Sequence, residues 1–232
     1  MGKEILGIIP ARGNSKGVPR KNISFLGGIP LIQYTINAAV NSKLITRLIL
    51  SSDDQEIMTY CQKQKVDVPF IRPQNLAEDD TSMLAVIKHA ALFLKEKEKY
   101  VPDLIILLQP TSPFRTTQHI DEALEALMAS GADSVVSVVD VPHSFNPYSV
   151  MQLEGKHLKP FLKFNETNNI RQKKPLFYGR NGPAVLAFTN ECLCVKNSTY
   201  GEKILAYVMK KQESIDIDDE FDFNFAKYIL EK

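Results

Sequence analysis

The sequence predicts an α/β fold: a doubly wound, mostly parallel sheet with one small β-rich insertion. Three observations predict it. Four short aliphatic runs recur, ILGII (5–9), RLILSS (47–52), LIILLQ (104–109) and SVVSVV (134–139), each bounded by turn residues. Near-continuous apolar runs of this kind suit strands buried on both faces. Helical patterns separate the runs, and that alternation is the mark of βα units with right-handed crossovers. After residue 141 the regularity breaks, and prolines, asparagines and aromatics mix with alternating apolar residues as far as 182.

The helices justify themselves in order. Residues 30–41 enter through Pro30, a favoured first-turn residue, and carry Leu31, Tyr34, Ile36 and Ala38. Residues 53–65 follow Ser52 and Asp53, with Glu56 three positions past Asp53. Residues 81–98 place Leu84, Ile87, Ala91 and Leu94 on one stripe, and 117–129 do the same with Ile120, Leu124 and Leu127. SVMQLEGKHLKPFL reads as a hairpin turning at Glu154-Gly155-Lys156. AVLAFT (184–189) and ILAYVM (204–209) read as strands, and a helix closes the chain from about 219 to 231. Residues 1–141 and 173–232 thus form the core, and 142–172 an insertion.

Formal charge is +1, from 28 basic and 27 acidic residues, so no global field draws in nucleic acid or an anionic membrane. No apolar run reaches the ~18 residues of a membrane span. Three cysteines, Cys61, Cys192 and Cys194, suit a reducing compartment better than a disulfide frame. The expected setting is cytoplasmic, and the cysteines are expected to be buried. The four histidines show no zinc spacing and no triad.

In open α/β sheets ligands lie beyond the carboxyl ends of the strands, so residues 10–22, 51–54, 109–115 and 140–143 are expected to share one rim. The first of these loops gathers Arg12, Lys16, Arg20 and Lys21 within ten positions, with Gly13, Ser15 and Gly17 among them. Four cations repel unless they face water or an anion. Glycines let backbone N–H groups approach an anion, Arg12 can fork onto phosphate oxygens, and Lys21 can serve as a mobile charge. The loop reads either as a polyphosphate cradle or as a solvated basic turn. It carries neither GKS/T nor GxGxxG, which removes the P-loop and dinucleotide readings.

IIPARGNSKGVPRKNI (8–23) closely resembles the signature of the CMP-sialic acid synthetases, or acylneuraminate cytidylyltransferases. FIRPQNLAEDDTS (70–82), LLQPTSPFRT (107–116) and ESIDIDDEFD (213–222) resemble further blocks of that family in the same order. The resemblance implies a Rossmann-like fold of the nucleotide-diphospho-sugar transferase type. It also implies a reaction in which the C2 hydroxyl of a nonulosonic (2-keto sugar) acid attacks the α-phosphorus of CTP, releasing pyrophosphate and a CMP-sugar. By the same resemblance Arg12 and Lys21 hold phosphates, and Ala11, Gly13, Asn14, Ser15, Lys16, Asn22 and Arg72 surround the nucleotide. Ser82 falls near a base-contacting position.

The second chemical clue is IDIDDEFD (215–222). In an extended segment, period two puts Asp216 and Asp218 on one face and Ile215 and Ile217 on the other. Two facing carboxylates repel unless a hard cation joins them, and Mg²⁺ favours one or two carboxylates plus substrate phosphates. Such a metal would bridge triphosphate oxygens and lower the pKa of the attacking hydroxyl. The alternative is that Asp218, Asp219 or Glu220 caps the last helix. Arg12, Lys21, Asp216 and Asp218 are the expected catalytic set, with Mg²⁺ on the two aspartates.

On the sugar side, Gln109 and Arg171 match family residues near the acid sugar. The family's aromatic-Arg-x-Asn-Gly pattern is altered here to FYGRNG, with Arg180 directly before Asn181. Arg180 and Asn181 are still assigned to the sugar, whose identity stays open among N-acetylneuraminate, a bacterial diamino relative and another 2-keto acid. Arg115 either joins the sugar site or caps the next helix. The 142–172 insertion resembles the family's dimer-forming element, and Phe145, Tyr148, Phe161 and Phe164 would suit a homodimer interface or a small local core. Two further readings are a nucleotidyltransferase using another NTP and a sugar phosphate, and a non-catalytic nucleotide-binding module.

Overall fold

A computed structural model describes residues 2–162 and 174–232. Arg171, Phe164 and the end of the insertion lie outside them. The main sheet takes β1 (Ile5–Pro10), β4 (Arg47–Ser51), β5 (Leu104–Leu107), β6 (Ser134–Asp140), β10 (Leu186–Thr189) and β11 (Ile204–Val208) in the order β11-β6-β10-β5-β1-β4. A seventh strand, β9 (Tyr178–Arg180), pairs with the end of β6. β4, β1, β5, β6 and β11 run one way, while β10 and β9 run against them.

Alternation along the strands explains the double winding. Ile5, Ile9, Leu104 and Ile106 face α1 (Leu31–Val40), α2 (Gln55–Lys63) and α4 (Thr117–Ser130). Their neighbours Leu6, Ile8, Ile105 and Leu107 face α3 (Met83–Glu98) and the short α5 (Asn190–Cys194). Both faces are therefore covered, which is why the runs are apolar throughout rather than alternating. A third cluster joins the two chain ends. Leu26 of the small hairpin β2 (Phe25–Leu26) and β3 (Ile29–Pro30) packs with Leu31, Ile217, and Phe223 and Ala226 of α6 (Glu220–Leu230).

α1 starts at Pro30 without a side-chain cap, whereas Asp54 caps α2, Ser82 α3, Thr116 with His119 α4, and Asp219 with Asp222 α6. Asp54, rather than Ser52 or Asp53, thus caps α2. The insertion hairpin, β7 (Met151–Glu154) with β8 (His157–Pro160), turns at Gly155-Lys156, where Gly155 supplies φ +60°. All eight of its strand residues are exposed. Cys61 and Cys192 are buried, but Cys194 is exposed. No helix among the described residues is long and apolar enough to cross a membrane.

Because β10 runs antiparallel between β5 and β6, its leading turn 181–185 lies at the carboxyl end of β5. That position could not be read from the alternation of strands and helices, since β10 follows the insertion and enters between β5 and β6 in reverse.

Candidate active site

The basic loop leaves β1 and stays tied to its neighbour. The Ala11 N–H donates to Ser51 O at 3.0 Å and the Gly13 N–H to Asp53 Oδ1 at 3.0 Å. The Gly13 amide is therefore committed and does not face a ligand. Buried Asn22 donates from Nδ2 to the Arg12 carbonyl at 2.9 Å, fixing the start of the loop. Asn14 is exposed and outside the cavity, whereas Ser15 and Lys16 border it. Arg20 turns away to Glu56 at 2.7 Å.

The cavity at the loop has a volume of about 380 Å³ and brings together Arg12, Lys16, Lys21, Asn22, Arg72 and Asp218. Arg72 is buried, donating from Nε to Ser51 Oγ at 3.0 Å and from Nη2 to Ser51 O at 2.5 Å. Burial pushes its pKa down to about 10, still well above neutrality. Thr81 borders the cavity, while Ser82 is exposed and spends its hydroxyl capping α3.

Asp79 was not singled out in the sequence. It accepts from Arg12 Nη1 at 2.6 Å and from Lys16 Nζ at 2.9 Å. Its pKa falls below the usual carboxylate value, chiefly through the Lys16 hydrogen bond. Only an EDD run marks it in the sequence, and nothing there says which of the three turns inward.

The segment 214–218 carries no regular secondary structure and is held by the Ile217 N–H donating to Thr111 O at 2.8 Å. Ile217 is fully buried, and the period-two reading holds to the extent that Ile217 faces the core between the two aspartates. Lys21 Nζ donates to the Ile217 carbonyl at 2.6 Å across 196 positions. A Cβ on Gly17 would overlap the Asp218 carbonyl oxygen, so only glycine lets the loop lie against this segment. The two ends of the chain thus meet in one cavity.

The two carboxylates differ. Asp216 Oδ1 is buried and has no hydrogen-bond partner among the described residues. Burial raises the Asp216 pKa above the usual value, opposed by Thr111 and Lys21 and reinforced by Asp218. Asp218 is exposed, and Asp219 rather than Asp218 caps α6. Burial lowers the Lys21 pKa, while Asp218 and Asp216 pull it back up.

A second cavity of about 390 Å³ adjoins the first, sharing Met83 and Gln109 with it. Gln109 Nε2 donates to Gly182 O at 3.0 Å. Arg180 borders this cavity, donates to the Tyr200 hydroxyl at 2.8 Å and stacks over its ring at 5.3 Å. Gly182, at φ +110°, packs on Asp216, where a Cβ would stand 2.9 Å from the carboxylate carbon. Asn181 does not reach the cavity. It is buried, accepting from Ser137 Oγ at 2.6 Å and donating to Ser214 Oγ at 2.9 Å. Adjacent residues of an extended chain point to opposite sides, so Arg180 outward requires Asn181 inward.

A family model described as Cytidylyltransferase matches residues 6–229. N-acylneuraminate cytidylyltransferase of Escherichia coli O18:K1:H7 is 33% identical over 233 residues, covering 100% of this chain and 53% of that protein. CMP-N,N'-diacetyllegionaminic acid synthase of Legionella pneumophila is 31% identical over 228 residues, covering 98% of this chain and 96% of the relative. The chain therefore spans about half the length of the first relative and nearly all of the second. Among solved structures, CMP:2-keto-3-deoxy-manno-octonic acid synthetase complexed with CTP superposes with a TM-score of 0.71 at 14% identity, covering 98% of both chains. A likeness at that identity supports the fold, and the sequence relatives carry the family. The chain belongs to the cytidylyltransferases, in the CMP-sialic acid synthetase family.

Proposed function

We propose that the protein transfers a cytidylyl group from CTP to a nonulosonic acid, releasing pyrophosphate. The observation that carries this reading is the 2.6 Å contact between Lys21 Nζ and the Ile217 carbonyl, which brings Asp218 to the cavity that Arg12, Lys16, Lys21 and Arg72 line. Arg12, Lys16, Lys21 and Arg72 offer a triphosphate a set of donors fixed before it arrives, which is what charge stabilisation in a transition state needs. Gln109, at the junction of the cavities, stands where the two substrates would meet, and Arg180 presents a cation to an acid sugar. Alignment of the hydroxyl with the α-phosphorus would come from these fixed walls.

Asp216 and Asp218 fit Mg²⁺. The buried, unpartnered Oδ1 of Asp216 and the exposed carboxylate of Asp218 are both free to accept a hard cation. No group of three or more His, Cys, Asp and Glu able to hold a metal occurs among the described residues, so polyphosphate oxygens and water would complete the shell. Bound there, the metal would neutralise polyphosphate charge and make the attacking hydroxyl more acidic.

The same reading makes the protein a cytoplasmic homodimer. Phe145, Leu153, Leu158 and Phe161 are each more than 60% exposed on the insertion, a density of apolar surface that suits pairing with a second copy. Tyr148, by contrast, lies against Phe177, with ring centroids 6.1 Å apart.

The deciding experiment is a mass-spectrometric screen for a CMP conjugate across several nonulosonic acids, run beside pyrophosphate release with each NTP. A CMP conjugate with one acid is expected. Turnover with a sugar phosphate and no keto acid would overturn the reading. Within the site, Asp79→Asn releases Arg12 and Lys16 from their carboxylate. CTP binding, followed by calorimetry, should tighten about two- to fivefold, the scale of an exposed ion pair. Weaker binding would mean that Asp79 holds the two cations in place instead.

A further inference from the structure

Arg115 is among the most deeply buried charges of the molecule, 3% exposed, and it forms no salt bridge among the described residues. It does not cap α4, because Thr116 and His119 do so. It does not border either cavity at the rim. Its guanidinium instead joins three elements. Nη1 donates to the Gln109 carbonyl at 3.0 Å and to the Ala184 carbonyl at 2.7 Å, and Nη2 donates to Thr35 Oγ1 at 2.5 Å. Burial lowers its pKa to about 9, which leaves it charged at neutral pH.

A buried cation without a paired carboxylate is costly, and an apolar side chain of similar volume would pack there at lower cost. What the guanidinium adds is geometry. The Gln109 carbonyl is tied through Arg115 to Ala184, and the Gln109 side chain is tied to the Gly182 carbonyl. A closed ring of hydrogen bonds therefore sets the separation between the end of β5 and the turn before β10. Gln109, Gly182 and Pro183 all line the second cavity, so these bonds fix that part of its wall.

We infer that Arg115 is a positioning residue for the sugar-acid half of the site, holding Gln109 and the Gly182-Pro183 turn at a fixed distance beneath the acceptor. The inference rests on the assignment of the second cavity to the acid substrate. Arg115→Lys keeps the charge but lacks the second nitrogen that reaches Thr35, and Thr35→Val removes that one anchor while leaving the arginine.

Two measurements test it on the full chain. In Arg115→Lys the KM for the acid should rise about tenfold, the scale of one charge-assisted hydrogen bond, while the KM for CTP stays within about twofold. Thr35→Val should shift the acid KM in the same direction by about threefold. Amide hydrogen exchange should quicken at 109–112 and 182–185 and stay unchanged in the loop 12–21. Equal rises in both KM values, unchanged KM values, or loosening that extends to the basic loop would each overturn the inference. If the unsubstituted chain forms no CMP conjugate with any acid, the functional reading fails and the sugar assignment falls with it. The exchange pattern still decides whether Arg115 positions Gln109. Should Arg115→Lys not fold, Thr35→Val carries both measurements.

Discussion

Asp218→Ala will abolish Mg²⁺-dependent turnover and leave the fold intact. Its side chain is exposed and plays no part in capping α6, since Asp219 and Asp222 close that helix reciprocally. The backbone there is held by other groups: Ile217 is buried, and the Asp218 N–H donates to Asp222 Oδ2 at 3.0 Å. An exposed side chain with no structural partner costs little stability when removed, so the thermal midpoint should move by no more than about 2 °C. The chemical loss is of another order. One carboxylate would remain to hold a cation against a tetra-anionic triphosphate, and transition-state charge would go largely unmatched. A fall of roughly 10²–10³ or more in kcat is expected, as for other lost electrostatic groups. Pyrophosphate release across a magnesium series, beside a thermal melt, separates the two effects. Near-normal activity would reject Asp218 as a ligand.

Lys21→Ala should cost at least ~2–3 kcal/mol of transition-state stabilisation, or roughly 30- to 150-fold in kcat/KM. Lys21 has two tasks. Its ammonium borders the cavity, and one of its protons closes the bond to the Ile217 carbonyl. Burial works against its charge, and the two aspartates work for it. Alanine removes the charge that offsets Asp216 and Asp218. Measured kcat and KM for CTP should both worsen. A change confined to the acid's KM would show that Lys21 serves the other substrate.

Much of the fold was legible because it depends on local pattern. The four aliphatic runs are β1, β4, β5 and β6, and α2, α3, α4 and α6 began within a few residues of a capping side chain. The rim was legible too, because strand direction fixes where loops emerge. What escaped depends on contacts between distant segments. The reversal of β10 and the pairing of β9 leave no periodic trace, whereas the hairpin at 25–26 and 29–30 is local and marked only by Gly27-Gly28. Asp79 facing Arg12, Asn181 turned into the core and Arg115 knotted beneath Gln109 are decided by neighbours 30 to 80 positions away. Ser82 and Thr81 illustrate the finest scale. Both are small hydroxyl residues, and the start of α3 alone settles which one caps and which one borders the cavity.

The joining of residues 12–21 to 216–218 constrains the timetable of synthesis. β1, β4 and β5 can pair once about the first 107 residues have left the ribosome, and β6 soon afterwards. Asp216 and Asp218 are made long after the loop, so a nascent chain carries the cations through most of that length with Asp79 and Glu56 but without the two aspartates. A nucleotide met before that segment emerges would therefore find only part of the cavity wall.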